Sequence, residues 1–460
     1  VSTTSILNSV LSATSGSSSS TIDVTDAVNA ILYADRAPER AWQAEQVTLD
    51  AQTTEIDQLQ TESSALTDSL NSLQDSSGAL NSVTATSSNS GLVTATAAAG
   101  TAAGTHTVVV GALATTADAY TQSVATSSTQ LASGSFGITV GGTTTTINVG
   151  TGDGTADNLS ELAATINSDA LGVTANVVTD STGSRLSIVA NSSGSAAGFT
   201  LSNDNSGLGF TQPTSGTDAS LTVDGVPIDS ASNTVTGAIS GVTLNLLGTT
   251  AGSTVNLNLA PDTSDIETAV SSFVSAYNTL ITDVNSQFNY NSTTQTAGPL
   301  QSDSTIQSFQ SDLLSAANYN TGATGTGALA TLTSLGITTN ADGTLSLDTA
   351  TLDNAVSNNY SAVQSFFQGT NSNGFVSSIE STLSTYTDPT QGAFTVDLSS
   401  ISSENTDLTN ETTTLEAYLS TQQTLLTAEY NAADIELSQL PQTIKQVDAL
   451  LNPPSSDSSS

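Results

Sequence analysis

Cysteine and methionine are absent from the 460 residues, histidine occurs once, and lysine and arginine together occur only four times. Each absence removes a class of chemistry. Without cysteine there is no disulfide framework, thiolate zinc site, iron–sulfur cluster or thiol nucleophile. One imidazole, His106, leaves little scope for histidine catalysis or metal binding. Binding DNA or RNA by counter-ion release needs clustered Lys and Arg, and the only basic side chains are Arg36, Arg40, Arg185 and Lys445, against 42 Asp and Glu. A net charge of -38 therefore argues against nucleic acid or an anionic lipid surface as a partner. Any chemistry on this chain would be carboxylate chemistry, and no cofactor is implied.

Charged residues make up only 10% of the chain, so the acidity comes from missing bases, and roughly a third of the chain is Ser or Thr. Aromatics are scarce at 4%, yet the 36% of hydrophobic residues can close several small cores or a helical seam, giving folded structure with mobile ends. The length suits about two to four domains. An apolar stretch from Ile6 to Leu11 has no preceding positive charge and runs into Ser17 to Ser20, which makes a poor secretory signal. The uncharged stretch between Asp75 and Asp118 is Ser, Thr, Gly and Ala with few large apolar residues, so no membrane insertion is expected. Export, if it occurs, would use a route that reads no Sec signal.

From Arg36 to about Ser82 there is no Gly before Gly78, and Pro38 stands where a first helical turn tolerates it, which predicts one long helix. Written as a heptad, position a takes Trp42, Leu49, Ile56, Ser63, Leu70 and Ser77, and d takes Glu45, Gln52, Leu59, Leu66, Leu73 and Leu80. Such a gapped seam needs other helices to cover it. Between about Thr84 and Ala260 the texture changes to strands with tight turns, among them Thr107–Val110, Phe136–Val140, Arg185–Val189 and Val242–Leu246. One helix, Asp157 to Asn167, interrupts them. After Pro261, Ile266, Val270, Phe273, Tyr277, Leu280 and Val284 recur at alternating spacings of four and three, the cleanest coiled-coil seam in the chain. A helix over Ser304–Ala317 and a hairpin around Asn340–Gly343 follow. The stretch from Ile401 to Leu451 reads as helix with a stutter near Gln422, and Pro441 should kink or end it.

Catalytic motifs are wanting. There is no Gly-x-Ser-x-Gly elbow, and Lys445 lacks the glycines of a phosphate loop. Gly325-x-Gly327-x-x-Ala330 fits a dinucleotide fingerprint loosely, with no strand leading in, and reads as a plain loop. Asp342-Gly343 with Asp348, and Asp153-Gly154 with Asp157, hint at calcium loops, but turn chemistry explains both. His106 reads as a turn or strand-edge residue preceding Thr107. Paired carboxylates of a glycosidase would need aromatic sugar platforms, which are rare here.

Five stretches taken in order resemble the flagellar hook-associated protein 2 family, also called FliD. Ile22 to Pro38, ending Arg36-Ala-Pro38, resembles the amino-terminal signature, and Asn158 to Val178 is similar to the Ile-Asn motif of flagellar hook and filament proteins. Leu221–Ile228 through Leu244 resembles strands that close the family's β domains. Phe273–Leu280 looks like its helix signature, and Leu335-Gly-Ile337 with Asp342–Asp348 and Val363–Phe367 looks like its carboxy-terminal region. The start, with Gly16 followed by Ser17 to Ser20, and the scarcity of Lys and Arg depart from the family pattern.

The resemblance implies an α+β fold: an elongated molecule with a helical coiled-coil leg built from both chain ends and two β-rich head domains inserted between them. The expected division is a flexible segment over 1–35, a leg helix over 36–85, a first head domain from 86–126 and 213–260, and a second over 127–212. A helical leg domain with a β hairpin covers 261–430, and a helix end with a disordered tail covers 431–460. The leg seam would comprise Leu49, Ile56, Leu59, Leu66, Leu70, Leu73, Ile266, Val270, Phe273, Tyr277, Leu280 and Val284. Leu425, Tyr430, Leu437, Ile444 and Leu451 are the candidate contacts with flagellin or a neighbouring subunit. The resemblance further implies a non-enzymatic cap at the filament tip: a ring-like homo-oligomer, pentamer or hexamer, that helps flagellin fold and insert. Implied partners are flagellin, the hook-filament junction proteins, an export chaperone and the type III export apparatus. The residues alone also admit a surface adhesin that binds a host or matrix surface through its Ser/Thr-rich β head.

Overall fold

The computed structural model describes residues 23–152, 155–290, 297–324, 328–369 and 373–451. Helix α1 (Val24–Asp35) opens on Asp23, whose carboxylate accepts from the Asp26 N–H at 3.0 Å. Residues from Val24 on are thus helical where a flexible segment was expected, because Val28 and Leu32 have an apolar surface to pack on. Val1–Ile22 lie outside the described residues. Helix α2 (Ala37–Gln74) carries Pro38 in its first turn and stops short of the expected Ser82. Gly78 explains the stop. The chain folds back so tightly there that a side-chain carbon would collide with the Ser72 carbonyl. The following turn, Ala79–Asn81, returns Leu80 to the core, its carbonyl held by the Tyr360 hydroxyl and, at 2.8 Å, by the Gln364 amide.

The chain then leaves the helices for two nested β units. Strands β1 (Val83–Ser87), β2 (Val93–Ala97) and β3 (Gly104–Ala112) open the first unit. The second unit follows with β4 (Asp118–Tyr120), β5 (Gly134–Val140), β6 (Thr143–Val149), α3 (Leu159–Ser168), β7 (Val173–Asp180), β8 (Gly183–Ala190), β9 (Phe199–Ser202) and β10 (Thr211–Thr214). The chain then returns through β11 (Ala219–Val223), β12 (Val226–Ser230), β13 (Thr234–Ile239), β14 (Val242–Leu246) and β15 (Val255–Pro261) to complete the first. The outgoing and returning strands pair antiparallel, Val83 opposite Pro261 and Ser87 opposite Leu257, which ties the excursion at its base. A second tie, Thr115 opposite Thr217, closes the inner unit the same way. A long insertion whose ends are neighbours leaves the interrupted core intact.

Each β unit has its own apolar interior. The outer unit joins sheets of order β1-β15-β3-β11-β12 and β13-β14-β2 around Val108, Leu221, Leu244 and Leu257. The inner unit joins β10-β4-β8-β7 and β6-β5-β9 around Phe136, Leu162, Ile166 and Ile188. Strand β4, expected in the first head domain, belongs to the second because it pairs with β8. His106 lies within β3 rather than before it, and its Nδ1 is 2.7 Å from an Asp224 carboxylate oxygen.

The helical part resumes with α4 (Thr263–Gln287) and α5 (Ser304–Ala317). A hairpin of β16 (Ile337–Thr339) and β17 (Leu345–Leu347) leads to α6 (Thr349–Gln368), α7 (Phe375–Thr387) and α8 (Ala393–Leu451). Gly336, at φ 82°, turns the chain into β16, and a side-chain carbon there would lie 2.6 Å from the Asp348 carbonyl. Helix α8 runs on through Pro441 to Leu451, so of the two expected outcomes, a kink or an end, the end does not occur. The architecture is mixed α+β, with the N-terminal helices α1 and α2 packed on the C-terminal α8 and the β units between them in sequence.

Candidate functional site

The seam predicted on α2 and α4 comes together. These helices run antiparallel: Ser82, just past α2, donates to Asp265 at the start of α4, and Gln287 at its end donates to Glu55. Ile56, Leu59, Leu66, Leu70 and Leu73 meet Ile266, Val270, Phe273, Tyr277, Leu280 and Val284, all fully buried in one core. Leu49 is buried outside that core, on the segment where Gln46 and Asp50 both bond to Asn405 of α8 at 3.0 Å. What the seam pattern missed is the aromatic set that closes this core. Phe375 packs on Phe273 and Phe366 at ring distances of 5.4 and 5.5 Å, and Phe309 packs on Phe394 at 5.0 Å. Phe309, Phe366 and Phe375 sit on the shorter helices α5, α6 and α7, and Phe394 in the first turn of α8, and the scarcity of such rings in a chain of ten phenylalanines was the available signal.

The candidate contact residues separate. Val28 and Leu32 of α1 bury Leu419 of α8, with Val24, Leu415, Leu426 and Tyr430 packed around them. Tyr430 is thus half-covered within the chain. Leu437, Leu440, Ile444, Val447 and Leu451 continue along α8 at spacings of three and four, the repeat that wants a facing helix. Leu437 is half-buried, whereas Ile444 is 60% and Leu451 74% exposed. Leu425 is also exposed, but Leu426, its neighbour, takes the seam position. The partly covered positions step by four twice in succession, Gln422 to Leu426 to Tyr430, so the stutter lies about one turn beyond Gln422.

The carboxylates find partial positive charge in backbone N–H groups. Asp262, Asp303 and Asp348 cap α4, α5 and α6. Asp342 accepts from the Thr344 N–H and hydroxyl at 3.0 and 2.6 Å, bonds that hold its carboxyl below the usual range. Asp342 and Asp348, weighed as calcium ligands, are thereby committed to a turn and a cap. Asp153-Gly154 and Gly325-x-Gly327 lie outside the described residues. Burial pushes the Glu62, Glu380 and Asp397 carboxyls up. Among the described residues no group of three or more His, Cys, Asp or Glu could hold a metal, and no helix is long and apolar enough to cross a membrane.

A helical body closed by packing of N-terminal helices on a C-terminal one, carrying inserted β units and an exposed apolar stripe on α8, has the architecture of a structural protein. Comparison with known proteins says which kind. The family model described as Flagellar hook-associated protein 2 C-terminus matches residues 216–442, and that described as its N-terminus matches residues 20–117. The B-type flagellar hook-associated protein 2 of Pseudomonas aeruginosa is 30% identical over 220 residues, 45% of this chain and 45% of its own length. That of Aeromonas caviae is 31% identical over 186 residues, 39% of this chain and 38% of its own. The chain thus spans less than half the length of these curated relatives. The crystal structure of the D1-D2-D3 domains of the flagellar cap protein FliD from Escherichia coli superposes with a TM-score of 0.59 at 26% identity, covering 76% of this chain and 99% of that one. Because the two family models take in more than two thirds of the sequence, the chain belongs to the flagellar hook-associated protein 2 (FliD) family, which is structural and not enzymatic.

Proposed function

We propose that the protein caps the distal end of a bacterial flagellar filament as a ring-like homo-oligomer, pentamer or hexamer, promoting insertion of flagellin and preventing loss of subunits already placed. It works outside the cell and, held beforehand by an export chaperone, arrives through the type III export apparatus, with the hook-filament junction proteins as further partners. The observation that carries this reading is the end of α8. Leu440, Ile444, Val447 and Leu451 form an exposed apolar stripe at coiled-coil spacing, directly beyond the stretch that α1 covers. An uncovered stripe of this kind is stable in water only when another helix closes over it. A neighbouring subunit, which carries the same apolar ridge, or an incoming flagellin closes over it.

Replacing Ile444 and Val447 together by Asp puts two charges on the stripe without touching a buried residue. The variant is expected to melt like the parent, to lose the oligomer in light scattering after size exclusion, and to fail to restore motility to a strain lacking the protein. An unchanged oligomer and full motility would remove the α8 stripe from the reading.

A further inference from the structure

Two of the four basic side chains share one face. Arg36 and Arg40 stand four residues apart where α1 passes into α2, with Tyr33 three residues before Arg36 and Val47 seven after Arg40, spacings that keep them on one stripe. The stripe is exposed throughout, Tyr33 by 43% and Val47 by 70%. Both guanidinium groups are already held in place. Arg40 lies 4.4 Å over the Tyr33 ring and donates to the Tyr33 carbonyl at 3.0 Å, while Arg36 donates to the buried Glu39 at 2.9 Å. The Arg40 charge meets no carboxylate among the described residues, and most of its five donors stay open. An arginine stacked on an aromatic ring loses little further freedom when it docks, and Arg and Tyr are among the side chains that most often anchor interfaces.

Helix α8 carries the counterpart. Glu404, Asp407, Glu411, Tyr418 and Leu425 are all exposed and recur at three, four, seven and seven residues, one continuous stripe with acids at one end and large apolar side chains at the other. Asn405 and Thr409, the α8 residues that bond to α2, precede Asp407 and Glu411 by two positions, about 200° around the helix. The acidic stripe therefore points away from α2, and the two stripes cannot close on each other within one chain. Between two chains they can. Gln46 opposite Thr409 and Asp50 opposite Asn405 fix an antiparallel register in which Arg40 stands level with Leu415, between Glu411 and Tyr418. The same register puts Tyr33 near Gln422, between Tyr418 and Leu425.

We propose that Tyr33, Arg36, Arg40 and Val47 of one copy dock on the Glu404–Leu425 stripe of a second copy, a head-to-tail contact in which every copy presents both halves. Arg40 meets Glu411 of the neighbouring copy, and Tyr33 enters the gap between that copy's Tyr418 and Leu425. The match in level rests on the capping reading, in which neighbours are related by rotation about an axis along the helical legs. Charge selects the occupant: copies of net charge -38 repel wherever acid faces acid, and this is the one face where two basic side chains come together.

The test is size exclusion with light scattering of the full chain at one fixed ionic strength, because salt also screens the repulsion between whole subunits. The variants are Arg40→Glu, Glu411→Arg, the two combined, and Asp68→Arg, which makes the same change in charge as Glu411→Arg at an exposed position further along α2. Association is expected to weaken at least about tenfold in Arg40→Glu and in Glu411→Arg, each of which sets like charges face to face. It is expected to return to within about threefold of the parent in the combined variant, where the pair is inverted. Asp68→Arg is expected to associate at least as well as the parent, and all four variants to melt like it. Unchanged association in either single stripe variant, or no recovery in the combined one, would overturn the proposal. So would Arg40→Glu chains that associate normally but no longer bind filament ends, which would give the stripe to flagellin. A parent that never associates would overturn it as well. A parent that associates, obeys the charge exchange and yet ignores filament ends would contradict capping and leave this contact standing.

Discussion

With 42 acids and four bases, most carboxylates of this chain cannot be paired with a cationic side chain, and where each one sits decides what it does to stability. Exposed ones are taken up by N–H and hydroxyl groups: Asp180 by Thr182, Asp342 by Thr344, Asp388 by Thr390, all with carboxyls held below the usual range by those bonds. Their contribution is present above the ordinary value of 3.8 and is lost as pH falls through the lowered ones. The covered ones, buried Glu62 and half-buried Glu380 and Asp397, run the other way. Burial raises them in the folded state, so the stability they add is complete below their ordinary values and is lost as pH rises through the raised ones. The melting temperature is therefore expected to rise as pH is lowered from neutrality to just above 4.5 and to fall below 3.8. Melts across that range check it, and a melting temperature that climbs steadily up to pH 7 would contradict it. Of the turn acids Asp342 was read from sequence, since Asp342-Gly343 marks a turn, whereas Asp180 and Asp388 were not. Glu62 was not, because it flanks the heptad position of Ser63 and reads as solvated until α4 is laid across it.

The same contrast separates the helices. The seams of α2 and α4 were readable because both faces are apolar and long, and a periodic stripe of that length has to be covered. Helix α1 was not legible and was read as part of a flexible segment; its face is a few residues, Val24, Val28 and Leu32, and its partner lies nearly four hundred residues on. Strand β4, three residues long, carries no periodic signal at all and is placed by pairing with β8. Pro441 was expected to kink or end α8, and the helix does not end there but continues to Leu451, although proline forfeits the bond to the carbonyl four residues back. The contact between α1 and α8 rests on Leu419, 1% exposed in a small cluster apart from the main core. Leu419→Ala is expected to weaken that contact by about 2–4 kcal/mol. Hydrogen exchange over Val24–Asp35 should quicken while the main melting transition stays in place. A lowered main transition with α1 still protected would mean that the two ends are not a separate cooperative unit.

For the whole molecule, the nested plan keeps the helical body continuous while the β units grow out from paired strands, and that plan was legible as an order of textures: helix, strands, helices. The nesting, a unit over 127–212 inside one made of 86–126 and 213–260, was implied by the family resemblance alone, because the ties Val83 to Pro261 and Thr115 to Thr217 join residues far apart in sequence and leave no local pattern. A subunit of net charge -38 repels its copies, and an assembly of several multiplies the repulsion. Salt screens that repulsion and leaves apolar seams untouched, so oligomerisation is expected to strengthen as ionic strength is raised. Dissociation of the oligomer on adding salt would instead place polar contacts at its centre. The claim that the chain is a filament cap is met most directly by negative-stain electron microscopy of the purified protein mixed with filament seeds and depolymerised flagellin from the same bacterium. Density at one end of each filament, elongation beneath it, and loss of both in the Ile444→Asp, Val447→Asp variant is the expected result. Protein that stays monomeric and ignores filament ends at every salt concentration, or that coats filaments along their length, would contradict it.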